Sequence, residues 1–357
     1  MKTSRSILPV LLTLVQGISM AGADELGNVV RAAARKADPS IVRLRVIGGE
    51  QSIDGDRVSS LVTTGLVISE TGEIVTSLFA LQGNPEAVLV EKAGGGRSSA
   101  KIIATDHVRR IVLLKAEEGP WNPLSAASSD SVAVGQYSVA LGRFYSADAS
   151  NVSVGIVSAL KRIHGMAIQT DAKISPANYG GPLVNLNGEV QGLLIPLSPR
   201  AQGNSQSGVE WYDSGIGFAI PVSDVISIAD RLRAGKDLKP GRLGMKLKAK
   251  GLFSSEVLAD RILKGGPADT AGIQKGDRLV SVNGVPLERI SVLEEAVASR
   301  YAGDVITIEI QRGDQSVSAS VTLAEELPVP HRGELGFLHV RVKGVPASEN
   351  GSGTDIS

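Results

Sequence analysis

The sequence predicts a mostly β protein with more than one core, and three observations carry that expectation. At 357 residues the chain is longer than the roughly 250 to 300 at which a single core stops growing. Its 41 glycines stand beside only 5 Phe, with Val, Ile and Leu abundant, a balance that favours many short strands over long helices. Gly, Pro and Asn-Gly turn signals recur throughout. Lys plus Arg and Asp plus Glu both number 37, and the basic residues are scattered, so no footprint for nucleic acid exists. The absence of Cys excludes disulfides, a thiolate nucleophile and thiolate metal sites, and is neutral about compartment.

In chain order, Lys2 and Arg5 precede the apolar run Ile7 to Val15, and Ala21-Gly22-Ala23 follows as a small-residue cleavage site. Residues 1–23 therefore read as a secretory signal, placing the mature chain in the periplasm or outside the cell. The alternative, an uncleaved anchor, needs roughly 20 apolar residues, more than this run supplies. Val29, Val30 and Ala33 give Glu25 to Lys36 helical spacing, and Pro39 stops it. Ile41 to Val46 is a strand, Leu61 to Ser77 alternates strand and Gly turn, and Gly94 to Gly96 is a loop. Ile102 to Lys115 contains the apolar run Ile111 to Leu114, and Val134 to Arg162 follows. In Thr170 to Asn187 the glycines Gly180 and Gly181 allow a tight turn with positive φ, Pro182 rigidifies its exit, and Leu183-Val184 begins a buried strand. Ser214 to Pro221 leads into a helix, Val222 to Leu232.

Gly235 to Gly241, with Lys239 and Pro240, is the best linker, separating a first domain over 24–234 from a second over 242–326. The second contains the Gly-rich run Gly266 to Gly284, a helix from Ser291 to Arg300, and strands Val305 to Arg312 and Val317 to Leu323 joined by Gly313-Asp314. In the tail, 327–357, Gly333-Glu334-Leu335-Gly336-Phe337 echoes Gly241-Arg242-Leu243-Gly244-Met245. The echo is either the vestige of a lost second copy of the module or a chance match, and the Gly/Ser-rich end reads as disordered.

Several runs resemble the trypsin-like serine proteases of HtrA/Deg type. They are Ser40 to Leu44, Thr63 to Ser69 with Gly72 to Ser77, Asp106 to Lys115, Gly135 to Leu160, Thr170 to Asn187 and Ser214 to Pro221, in the family's order. Gly266 to Gly284 resembles a PDZ domain of bacterial type. The resemblance implies a double β-barrel followed by one α+β PDZ domain, and a serine endopeptidase activity with no cofactor and no metal. A Ser-His-Asp site needs a hydroxyl, an imidazole to take its proton and a carboxylate to stabilise the imidazolium. By motif, Phe79 stands where the family has His, Arg110 where it has Asp, and Tyr179 where it has Ser; Ala177 replaces a glycine whose amide helps bind the oxyanion. A phenyl ring accepts no proton and a guanidinium opposes an imidazolium. Loss of a whole triad costs roughly 2 × 10⁶ in turnover. The expectation is therefore a pseudoprotease, with the endopeptidase as its alternative. Of the four histidines, His107 alone stands near a lost position, and it reads first as a loop residue.

What remains is recognition. A PDZ groove adds an extended C-terminus as a strand and holds its carboxylate on backbone amides. The resemblance carries those amides to Leu243-Gly244-Met245 and the pairing strand to Met245 to Lys248, so that Lys246 and Leu247 line the groove. Arg242 is either a charge near the carboxylate or a solvated linker cation. The helix offers two apolar rows, Leu293 with Val297 and Val292 with Ala296. The implied partners are unfolded polypeptides or protein C-termini and active HtrA-like relatives, in a holdase, adaptor or regulatory role, and homo-oligomerisation follows from resemblance alone. Phe79, Arg110 and Tyr179 are expected to converge between the barrels, with the Arg110 guanidinium stacked on the rings as a plug.

Overall fold

A computed structural model describes residues 21–328 apart from 54–55, 84, 118, 198–214 and 249–253. The expected signal segment up to residue 20 and the echo at Gly333 to Phe337 lie outside the described residues. Helix α1, Ala21–Ala37, begins earlier than its apolar spacing predicts. Six strands follow: β1 Ile41–Ile53, β2 Asp56–Val67, β3 Glu73–Ser77, β4 Ala87–Glu91, β5 Arg97–Asp106 and β6 Ile111–Ala116. They close into a barrel in the order β1-β2-β3-β6-β5-β4, all antiparallel, with β4 returning to β1. A second barrel comprises β7 Tyr137–Gly142, β8 Asn151–Arg162, β9 Ala167–Thr170, β10 Pro182–Val184, β11 Val190–Leu194 and β12 Gly217–Pro221.

Closure leaves neither barrel with a free edge, and their interiors are filled by side chains such as Leu44, Ile74 and Leu114 in the first and Leu183, Leu194 and Ala219 in the second. A further apolar cluster joins the two, bringing Leu66, Val75 and Ile111 of the first barrel against Val139, Leu141 and Leu193 of the second. Helix α2, Val222–Leu232, seals that cluster. Its buried residues Val222, Val225, Ile228, Ala229 and Leu232 recur with helical period, and each fully buried Val, Ile or Leu contributes about 1.5 to 3 kcal/mol.

The C-terminal domain is a sheet in the order β13-β14-β15-β17-β18, with β16 paired to β15. Its strands are β13 Met245–Lys248, β14 Leu258–Ile262, β15 Arg278–Val282, β16 Val285–Pro286, β17 Val305–Arg312 and β18 Gln315–Thr322. Helices α3, Pro267–Thr270, and α4, Ile290–Ala298, complete it. The described part of the chain thus has the mostly β architecture expected of it.

The stretch expected as the linker, 235–241, is docked on the first barrel. Leu238 donates its amide to the Thr105 carbonyl and accepts from the His107 amide, both at 2.9 Å. Asp237 accepts from the Thr105 amide at 2.9 Å and meets His107 Nε2 at 3.0 Å. Composition identifies the Gly and Pro residues of this stretch but says nothing of the end of β5, beyond its pairing with β4, that receives it.

A second contact fixes the two domains. Asp106, at the end of β5, is fully buried and accepts a hydrogen bond from the Tyr301 hydroxyl at 2.6 Å. The same hydroxyl accepts from Arg109 Nη1 at 2.6 Å, and Arg231 of α2 lies over the Tyr301 ring at 4.4 Å.

Candidate functional site

The loop that enters β10 lies on the seam between the barrels, and the sequence of β2 holds it there. Thr63 Oγ1 donates to the Tyr179 carbonyl at 3.0 Å and Thr64 Oγ1 to the Ala177 carbonyl at 3.2 Å. The Thr64 amide donates to the Tyr179 carbonyl at 3.3 Å. Both threonines are buried. Gly180 has φ +80°, the left-handed conformation that glycine adopts without penalty, whereas Gly181 needs no such conformation. The tight turn anticipated at Gly180-Gly181 therefore rests on the first glycine.

Tyr179 points inward. It is 3% exposed and belongs to the apolar cluster of the second barrel. Its ring meets Phe79 edge to face, with centroids 5.2 Å apart and planes at 71°. Phe79 stands on a 3-10 turn, Leu78–Leu81, capped by Ser77 Oγ, which accepts from the Phe79 amide at 3.2 Å. The two rings thereby join the barrels. Pairs of this geometry contribute about 0.5 to 1.5 kcal/mol beyond area burial. A double-mutant cycle on Phe79→Leu and Tyr179→Leu is expected to return an interaction term of at least about 0.5 kcal/mol; additivity of the two denaturation free energies would contradict the contact.

Arg110 departs from the expected plug. Among the described residues, cation–π contacts are made by Lys92 on Trp121 and by Arg109 and Arg231 on Tyr301, whereas Arg110 stacks on neither Phe79 nor Tyr179. The reason is local. Asp106 accepts from the amides of Val108 at 2.7 Å and Arg109 at 3.0 Å, forming a tight turn. Arg110 leaves it with φ +60°, and its carbonyl accepts from the Leu78 amide at 2.8 Å. The side chain is thereby directed into the cleft between the first barrel and the C-terminal domain. Burial lowers its proton affinity, yet a guanidinium remains charged.

The amides of the turn are engaged within the loop itself. An oxyanion is held by the amide of the nucleophile and that of the residue two before it, positions that the motif register expects at Tyr179 and Ala177. Tyr179 donates instead to the Pro176 carbonyl and Ala177 to Ser175 Oγ, each at 3.3 Å. Residue identities alone do not disclose this; the one signal is the hydroxyl of Ser175, two residues ahead of Ala177. His107 is exposed and paired with Asp237. Among the described residues no group of three His, Cys, Asp or Glu is placed to hold a metal.

Residues 63–193 match the trypsin-like peptidase domain family and residues 231–311 match the PDZ domain family. The chain thus carries a segment similar to trypsin-like peptidase domains followed by a segment similar to PDZ domains. It is 29% identical over 324 residues to the "probable periplasmic serine endoprotease DegP-like" of Pseudomonas fulva (strain 12-X), covering 87% of this chain and 64% of that protein. It is 30% identical over 280 residues to the protein of the same name from Chlamydia trachomatis serovar D, covering 73% of this chain and 54% of the relative. The chain thus spans between about half and two thirds of the length of these relatives. In three dimensions it resembles the HtrA-type protease AlgW with decapeptide, at TM-score 0.65 and 20% identity, covering 84% of this chain and 99% of that one.

In the PDZ domain, β13 pairs with β14 alone among the described strands and leaves its other side as a sheet edge. Met245 and Leu247 turn toward the domain core and are half-buried, while Lys246 and Lys248 are exposed, the alternation of an edge strand. Leu243 is half-buried against the core, Arg242 is exposed, and Gly244 is buried with φ +71°. On α4, Leu293 is buried, and Val292 and Ala296 are half-buried. Leu293 therefore serves the core.

Proposed function

We propose that this chain binds polypeptides by their exposed C-termini through its PDZ domain and does not cleave them by the serine mechanism of its family. The observation that carries this reading is the state of the turn at Ala177 to Gly181. Its side chain at the nucleophile position is a buried tyrosine packed on Phe79, and the amides of Ala177 and Tyr179 are hydrogen-bonded within their own loop. An acyl transfer needs a nucleophile, a base and an oxyanion site together, and all three are altered. The edge of β13 and the left-handed Gly244 support peptide addition beside it, as does the peptide-bound state of the AlgW relative. A holdase, adaptor or regulatory role fits such an activity, with unfolded chains or active HtrA-like relatives as partners.

The naming of relatives as periplasmic supports an exported protein, with residues 1–23 as its signal; no helix among the described residues is long and apolar enough to cross a membrane.

Purified protein incubated with casein is expected to give the same background as its Tyr179→Phe variant, beside a triple revertant carrying Phe79→His, Arg110→Asp and Tyr179→Ser. Cleavage by the unmodified chain above the Tyr179→Phe background would establish the endopeptidase instead. Apolar-ended peptides are expected to bind as free acids and to lose most of that affinity when amidated.

A further inference from the structure

We propose that the cleft between the two domains selects C-termini carrying an acidic side chain upstream of the terminal carboxylate, with Arg110 as the group that receives that side chain. This rests on the reading of the PDZ domain as a binder of C-termini, and it adds the chemistry of the preferred partner.

The cleft has a volume of about 1890 Å³, and Arg110 lines it together with Leu243, Gly244 and Met245. A chain whose end lies on Gly244 therefore shares one space with the guanidinium. Arg110 carries no ion pair among the described residues, and its Nε is buried without a hydrogen-bond partner. A charge held in that state is costly, and a carboxylate in the cleft satisfies it with a forked, charge-assisted hydrogen bond. The acids already lining the cleft are mostly committed. Asp237 pairs with His107 at 3.0 Å, Lys239 holds Glu325 at 3.2 Å, and Lys275 lies 3.8 Å from Asp260. Glu326 remains, against Arg110, Arg242, Lys246 and Arg261. The uncommitted charge is positive and complements an acidic peptide.

The position of Arg110 is also constrained. Its positive φ, the Asp106 turn before it and the bond from its carbonyl to Leu78 set the direction of its side chain. A long cation held in this way loses less freedom on pairing than one on an open surface.

The test is fluorescence anisotropy on the full chain with short free-acid peptides ending in an apolar residue, each carrying one Glu at a scanned upstream position, and the matching Gln peptides. At the favoured position Glu is expected to tighten binding about tenfold over Gln, the effect of one charge-assisted pair. Arg110→Met is expected to bring that ratio to about one, and Arg110→Lys to leave it in between. Equal Glu and Gln affinities at every position on the unmodified chain would overturn the proposal, whether or not the variants fold. So would a Glu preference unchanged in Arg110→Met. Equal affinity of amidated and free-acid peptides would instead strike at carboxylate capture by the PDZ domain, a separate result read from the same plates.

Discussion

Replacing Gly180 with Ala is expected to destabilise the peptidase domain by about 3 to 5 kcal/mol, from the left-handed penalty and overpacking together. Gly180 has φ +80°, a conformation that costs an L side chain roughly 1 to 2 kcal/mol. Space adds the larger share. A Cβ at this position would overlap the Thr64 carbonyl oxygen and the Thr76 hydroxyl oxygen, with the Ser77 amide beside them. None of these atoms can withdraw cheaply. The Thr64 carbonyl accepts from Thr76 Oγ1 at 2.7 Å, and both residues are buried in the β2–β3 pair. The strain falls on the seam between the barrels, so it is expected to reach the first barrel, where Trp121 is buried. Urea unfolding followed by Trp fluorescence measures the change, and a loss below about 1 kcal/mol would mean that the loop relaxes away from Thr64. The same substitution at Gly135, whose φ is +87° with open space around its Cβ position, is expected to cost only the conformational part, about 1 to 2 kcal/mol.

Gly180 also illustrates what the sequence discloses. Paired glycines before Pro182 signal a turn with positive φ, and the turn stands there. Periodicity likewise finds α2, whose bounds Val222–Leu232 agree with the apolar spacing, and β17, Val305–Arg312. Both elements bury one face against a single core, so period and burial coincide. By contrast β4, Ala87–Glu91, and β11, Val190–Leu194, are not picked out as separate strands. Their apolar residues lie in stretches without a bounding motif, and barrel closure rather than local pattern pairs them. At the site, motif register singles out Phe79, Arg110 and Tyr179; Phe79 and Tyr179 pack on each other, a contact of the kind their chemistry suggests, while Arg110 lines a separate cleft. The direction of Arg110 is not legible, because it depends on a backbone φ of +60° that an arginine does not announce. The hydrogen bonding of the Ala177 and Tyr179 amides within their own loop is equally silent, since it concerns atoms every residue has. The docking of Asp106 on Tyr301 joins residues 195 apart, beyond the reach of any window.

That last contact is the joint between the domains, and Tyr301→Phe is expected to loosen it. The variant keeps the ring beneath Arg231 and removes only the hydroxyl that donates to Asp106 and accepts from Arg109. A buried carboxylate deprived of one donor costs about 1 to 3 kcal/mol. The sign of the pH dependence follows from the surroundings of Asp106. Burial raises its carboxyl above the ordinary value, while the Tyr301 hydroxyl and the Arg109 and Val108 amides act in the other direction. A carboxyl raised on folding favours the folded state most when protonated, and that contribution is lost as pH climbs through the folded value. Removing the Tyr301 hydroxyl takes a donor from the ionised form, moves the folded value higher and deepens the loss. Burial, then the charge of Asp106, push the Tyr301 phenol up, so the unmodified tyrosine stays a donor throughout. The deficit of Tyr301→Phe is therefore expected to grow from about pH 4 toward neutrality, as read from denaturation curves of both proteins across that range. A deficit that is constant with pH would assign the cost to packing and remove Asp106 from the joint. Because the Asp106 turn also directs Arg110, the same variant is expected to weaken the preference for Glu over Gln peptides without altering any residue that lines the cleft.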